Sequence, residues 1–161
     1  MAGLVHGVPT LGLRFFNVFG PRQDPLSPYS GVISIFCDRL SRGEPVTIFG
    51  DGGQTRDFVF VADVVEALLR AMRKASVSAP ALNVCTGQPT SVRSLALTIA
   101  GLCRRPPEIL AAPARAGEIR DSQGSPERAR AALGLTRPRP LESGLAQVLG
   151  WMRAGRPGLT G

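Results

Sequence analysis

The first clear pattern in the chain is Thr10-Leu11-Gly12-Leu13-Arg14-Phe15-Phe16-Asn17-Val18, a near-continuous apolar run that stops at Phe19-Gly20-Pro21. It reads as a strand followed by a turn. Unbroken apolarity, as opposed to alternation, belongs to a strand covered on both faces, as in parallel α/β sheets. Residues 21–30 form a proline-rich loop. From Gly31 to Arg42 the spacing of Ile33, Phe36, Cys37 and Leu40 predicts a helix, with Gly43 as its stop. Val46 to Phe49 is a short strand, Gly50 to Thr55 a glycine-rich loop, and Phe58 to Val61 another extended run. Asp63, with Glu66 three residues on, reads as a capping box opening a helix that buries Val64, Leu68, Ala71 and Met72. Ala81 to Cys85 is a strand and Thr86-Gly87-Gln88-Pro89 a turn. Thr90 or Ser91 caps a helix with Val92, Leu95, Ile99 and Leu102 inward. A short helix follows Ser125-Pro126-Glu127 and stops at Gly134. Leu141, Leu145, Val148, Leu149 and Met152 mark the last helix, and residues 154–161 read as a frayed tail.

This is an α/β chain whose buried strand at residue 10 implies neighbours upstream, so a missing N-terminal half is expected. The length of 161 residues suits one ordinary domain or half of a larger one. Hydrophobic residues make up 43%, a globular composition. No apolar run approaches the ~20 residues of a membrane span, and the start lacks a signal peptide's basic and apolar regions. Three scattered cysteines and one histidine argue against a disulfide framework or a zinc cluster. A cytoplasmic, metal-free protein with no membrane partner is expected.

The net charge of +7 raises the question of nucleic acid. Residues 1–103 carry nine bases against seven acids, and residues 104–161 carry ten against five. The C-terminal excess is dispersed arginine without interleaved aromatics, which argues against polynucleotide binding. Binding of a small polyanion through one or two specific arginines stays open. The stretch Gly50-Asp51-Gly52-Gly53-Gln54-Thr55-Arg56-Asp57 offers one candidate. It is either a hairpin-like connection with Arg56 paired to Asp57 or solvent, or an arginine clamp on phosphate.

Four stretches occur in order: LRFFNVFGPRQDP (13–25), PVTIFGDGGQTRDFVFVADVVEAL (45–68), LNVCTG (82–87) and PARAGEIRDS (113–122). Together they resemble the C-terminal half of an extended short-chain dehydrogenase/reductase of the NAD-dependent epimerase/dehydratase type. The UDP-glucose and UDP-N-acetylglucosamine 4-epimerases are the members they resemble. The resemblance covers about residues 10–151. It implies the last parallel strands of a Rossmann-type fold (10–20 and 82–87), a small α/β substrate-binding part (21–80 and 104–151) and a tail over 152–161. On the resemblance, an N-terminal NAD-binding half is expected to be missing from this stretch.

It also implies roles for individual residues. Phe15 flanks the nicotinamide, and Asn17, read as a buried amide, donates to the diphosphate of a UDP-sugar. The backbone at Val32 and Ile33 meets the nucleotide, and Thr47 and Phe49 lie on the strand that holds the uracil. Arg56 and Arg115 bind phosphate. Asp57 braces the loop and Asp63 caps a helix. Glu118 stands where members usually have Asp, and Gly124-Ser125 where an alanine-aspartate pair is usual.

Such enzymes need a glycine-rich dinucleotide loop between a strand and a helix, and a Tyr-x-x-x-Lys pair for proton transfer. The only tyrosine, Tyr29, lies in the proline-rich loop, and the only lysine, Lys74, is 45 residues away. No catalytic residue is expected here, and NAD, the cofactor of the full-length family, is not expected to bind this stretch alone. The expected partners are a UDP-sugar, a missing N-terminal half and, in the full-length form, a second copy. Two alternatives stay open: a non-catalytic nucleotide-sugar-binding module, or part of a UDP-glucuronate decarboxylase or 4,6-dehydratase. Against the decarboxylase, such members tend to have Ser after the arginine, where Asp57 stands.

Overall fold

The computed structural model describes residues 2–27 and 30–155. Helix α1 (Ala2–His6) precedes the first apolar run, which is two strands, β1 (Gly12–Phe15) and β2 (Asn17–Phe19), parted at Phe16. Helix α2 (Val32–Arg42) follows the proline-rich loop, then strands β3 (Val46–Phe49) and β4 (Thr55–Phe60) and helix α3 (Val61–Met72). Strands β5 (Ala81–Val84) and β6 (Pro89–Ser91) lead to helix α4 (Val92–Cys103). Strands β7 (Ile109–Ala112) and β8 (Asp121–Ser122) lead to helices α5 (Glu127–Leu133) and α6 (Leu141–Arg153). The expected tail starts later than residue 152, because Met152 and Arg153 close α6. Residues 156–161 and Tyr29 lie outside the described residues.

The α/β class is as expected, and the pairing is mostly parallel. β1 runs beside β5, β2 beside β4, β3 beside β7 and β8 beside β4, while β6 lies antiparallel to β4. The strand break corrects the single strand read from residues 10–18: β1 is in register with β5, and β2 with β4. The described residues do not by themselves supply the cover expected for β1. It has one neighbour among the described residues, and Phe15 is 46% exposed.

β4 also begins earlier than the apolar pattern suggests. Thr55–Asp57, read as loop, is held by β6 and, at Thr55 and Arg56, by β8 as well. Val61, read as the end of that strand, instead opens α3, with Phe60 as its N-cap. Asp63 is therefore inside the helix and caps nothing. Its carboxylate accepts the backbone N–H of Arg139. The inward stripe of α3 is Val64, Ala67 and Ala71, whereas Leu68 and Met72 face outward.

Two cores result. α2, α4, α6 and β3 enclose one, completed by Phe19, Phe58 and Phe60, whose rings meet edge to face. α3, α5 and β5 enclose the other, with Val59. β4 is the wall between them, and its side chains alternate from one core to the other. Arg56 therefore shares a side with Phe58 and Phe60, and Asp57 with Val59.

Candidate functional site

A cleft of about 400 Å³ opens beside the first core, between β2, the start of α2, β3, β4 and the segment 113–118. That is within the size range of small-ligand pockets. β3 shows how the sequence builds it. Val46 and Ile48 are buried, so the alternate residues Thr47 and Phe49 line the cleft. The N-cap of α2, Gly31, offers no side-chain acceptor to the first-turn N–H groups near Val32.

Asn17, Val32, Thr47, Phe49, Arg56 and Arg115 all line this cleft. Asn17 is exposed to it and is not the buried amide expected. The side chain of Ile33 is buried in the first core, and Phe15 on β1 is not among the lining residues.

Arg56 is fixed between Thr90 of β6 and Ser122 of β8. Its Nη1 donates to the carbonyls of Thr55 and Ile119, each at 2.7 Å, and its Nη2 to Glu118 Oε1 at 3.3 Å. It does not pair with Asp57, because adjacent residues of a strand point to opposite sides. The guanidinium carbon of Arg115 lies 3.8 Å from the centre of the Phe49 ring, a cation–π contact. Gln54, which the sequence did not single out, is buried between these groups. Its amide donates to the Phe49 carbonyl at 2.9 Å and to Glu118 at 3.5 Å. The one available signal was its place directly after the glycines.

The glycine loop is braced by Asp51. Its carboxylate takes both Nη groups of Arg120 at 2.6 and 2.9 Å and the N–H of Gly53 at 2.8 Å. The Arg120 bonds, and then the Gly53 N–H, hold the Asp51 carboxyl well below the usual carboxylate range. Gly52 has φ of +73°, and a Cβ there would lie 2.9 Å from Ile48 Cγ2, so both conformation and space require glycine.

Asp57 braces a different loop from the one expected. It is fully buried, and its Oδ1 accepts from the backbone N–H of Thr86 at 2.8 Å and from Thr86 Oγ1 at 2.7 Å. Its Oδ2 accepts from Gly87 at 2.8 Å and, at 3.5 Å, from Gly124. A Cβ on Gly124 would lie 2.5 Å from the Phe16 ring and 2.7 Å from Cys85 Sγ, which accounts for glycine at that position.

Burial pushes the Cys37 thiol up to about 12 and the Cys85 thiol up to about 11, the opposite of an activated nucleophile. Among the described residues no group of three or more side chains could hold a metal ion, and no helix is long and apolar enough to cross a membrane. Three arginines line the cleft, Arg39, Arg56 and Arg115, together with a helix start and an aromatic face. That is equipment for holding an anion attached to a flat ring.

The family model of the NAD dependent epimerase/dehydratase family matches residues 3–85. The chain is 43% identical over 137 residues to the UDP-glucose 4-epimerase of Mycolicibacterium smegmatis, covering 85% of this chain and 43% of that protein. Among solved structures, UDP-glucose 4-epimerase from Thermotoga maritima, with UDP-glucose, is 38% identical with a TM-score of 0.88, covering 94% of this chain and 48% of that one. The Thermus thermophilus UDP-glucose 4-epimerase in complex with NAD is 33% identical with a TM-score of 0.84, covering 94% and 49%. The α/β arrangement here is thus shared with Rossmann-type epimerases. The chain spans about half the length of these relatives.

Proposed function

The chain belongs to the NAD dependent epimerase/dehydratase family, and on that premise we propose that it is the UDP-sugar-binding part of a UDP-sugar 4-epimerase. The substrate class is UDP-glucose and UDP-galactose, or their N-acetyl forms. The observation that carries this reading is the convergence of Asn17, Val32, Thr47, Phe49, Arg56 and Arg115 on one cleft from well-separated stretches of sequence. In the proposal, Arg56 and Arg115 take the diphosphate through charge-assisted bonds, and Asn17 donates to it. The uracil lies along Thr47 and Phe49, and backbone N–H groups at Val32 meet the nucleotide.

This part holds and orients the ligand and does not turn it over by itself. The glycines present do not fit a dinucleotide cradle: Gly50–Gly53 join two strands, β3 and β4, with no helix start behind them. The chain also has no Tyr-x-x-x-Lys pair. The edge of β1 left unpaired among the described residues and the exposed Val65, Leu68, Leu69 and Met72 of α3 support packing against an NAD-binding half.

Calorimetric titration of UDP at fixed salt tests the reading. Arg56→Ala and Arg115→Ala should each weaken binding by roughly tenfold to a hundredfold. Arg56→Lys should recover only part of its loss, since a point charge cannot reproduce the planar fork. Arg73→Ala and Arg128→Ala, at exposed positions, should leave affinity unchanged. Equal small losses at all four positions would mean that overall charge holds the ligand, and the reading would fall.

A further inference from the structure

Glu118 is the only carboxylate among the described residues that line the cleft, and it sits on one of the groups meant for phosphate. Its Oε1 receives Arg56 Nη2 at 3.3 Å and Gln54 Nε2 at 3.5 Å. The two charged side chains are only 18% and 26% exposed, so solvent screens the pair weakly. The same segment, 113–120, also supplies Arg115, lying over Phe49, and the Ile119 carbonyl on Arg56 Nη1. The segment thus supplies one arginine of the cleft, Arg115, and occupies another, Arg56.

We infer that Glu118 sets the anion affinity and selectivity of the cleft, as a built-in carboxylate that any phosphate must displace from Arg56. The inference rests on the UDP-sugar reading. A diphosphate that engages Arg56 and Arg115 together carries enough charge to compete with one carboxylate, whereas a weakly charged ligand does not. Removing the charge at residue 118 therefore strengthens binding of a phosphate ligand, the reverse of what deleting a ligand contact does.

The test is calorimetric titration of the 161-residue chain and its variants with UDP and with uridine, which lacks phosphate. Glu118→Gln keeps the acceptor oxygen and loses the charge. It should bind UDP about threefold to tenfold more tightly, with a gain that shrinks as salt rises. Uridine binding should not change. Glu118→Asp shortens the reach by about 1.5 Å, beyond ion-pair distance of Arg56, and should show a smaller gain. On an Arg56→Ala background the gain from Glu118→Gln should vanish, because the competition acts through that guanidinium. Unchanged UDP affinity in Glu118→Gln would overturn the inference. So would a parallel loss for UDP and uridine, which would make Glu118 a nucleoside contact. Failure of the unsubstituted chain and every variant to bind UDP would instead overturn the reading of the cleft, and this inference with it.

Discussion

Replacing Asp57 by Ala removes the acceptor for the backbone N–H groups of Thr86 and Gly87, each now held at 2.8 Å, for that of Gly124 at 3.5 Å, and for the Thr86 hydroxyl at 2.7 Å. The side chain is fully buried, so water does not readily take over those bonds. Thr86 Oγ1 keeps a local contact with Gln88, but the Thr86 and Gly87 N–H groups, held at full strength, are left without an acceptor. An unsatisfied buried group costs about 1–3 kcal/mol, giving an expected loss of about 3–5 kcal/mol for Asp57→Ala. That is a large share of the ~5–15 kcal/mol holding a typical domain. Asp57→Asn retains one oxygen for Thr86 but turns an amide N–H₂ toward Gly87, so a loss of about 1–3 kcal/mol is expected. For a chain of this size each kcal/mol lowers the melting temperature by about 2–4 °C. Urea unfolding followed by circular dichroism, with the slope m compared between variants, measures the change. A loss under ~1 kcal/mol for Asp57→Ala at unchanged m would refute the reasoning.

Gly144→Ala tests packing against propensity. Alanine favours a helix interior by about 1 kcal/mol, but the new Cβ would meet ring carbons of Phe19 and Phe60 at 2.7 to 2.9 Å. Overpacking of this kind costs about 1–3 kcal/mol, so the urea midpoint should fall, and a rise would contradict the geometry. Alkaline pH should destabilise the fold in a defined window. The folded chain keeps the buried Cys37 and Cys85 thiols protonated to about 12 and about 11, while the unfolded chain releases those protons near pH ~8.5. Stability from this source is therefore whole below about pH 8.5 and declines as pH rises toward 11. Urea midpoints from neutral to about pH 10 should fall, less steeply in Cys37→Ala, and a flat profile would count against it.

The elements with one dominant face were legible. The alternation of β3 and the stripe of α2 with its Gly43 stop needed only period and punctuation. α3 resisted because it is apolar around most of its circumference. The periodicity favoured the large Leu68 and Met72, whereas the buried stripe is Val64, Ala67 and Ala71. The start of β4 was hidden because its partners, β6 and β8, are too short to announce themselves. For the site, Arg56 was visible as a lone cation beside glycines, but its meeting with Arg115 came from the family motifs, since nothing local links residues so far apart. Gln54 and the grip of Glu118 on Arg56 depend on how the 113–120 segment returns across the cleft, which no local pattern encodes.

The break at Phe16 also governs how the molecule opens. With β1 in step with β5 and β2 in step with β4, the two cores share this covalent joint and, close by, the carboxylate of Asp57 gripping Thr86 and Gly87. A partial opening that lifts the 86–87 turn off β4 must release both amides in one event, because both hang from the same side chain. In native-state hydrogen exchange they then form a single cooperative unit with a common opening free energy. Their shared rate reports release of that turn from β4, while amides inside α4, such as the fully buried Ile99, exchange more slowly.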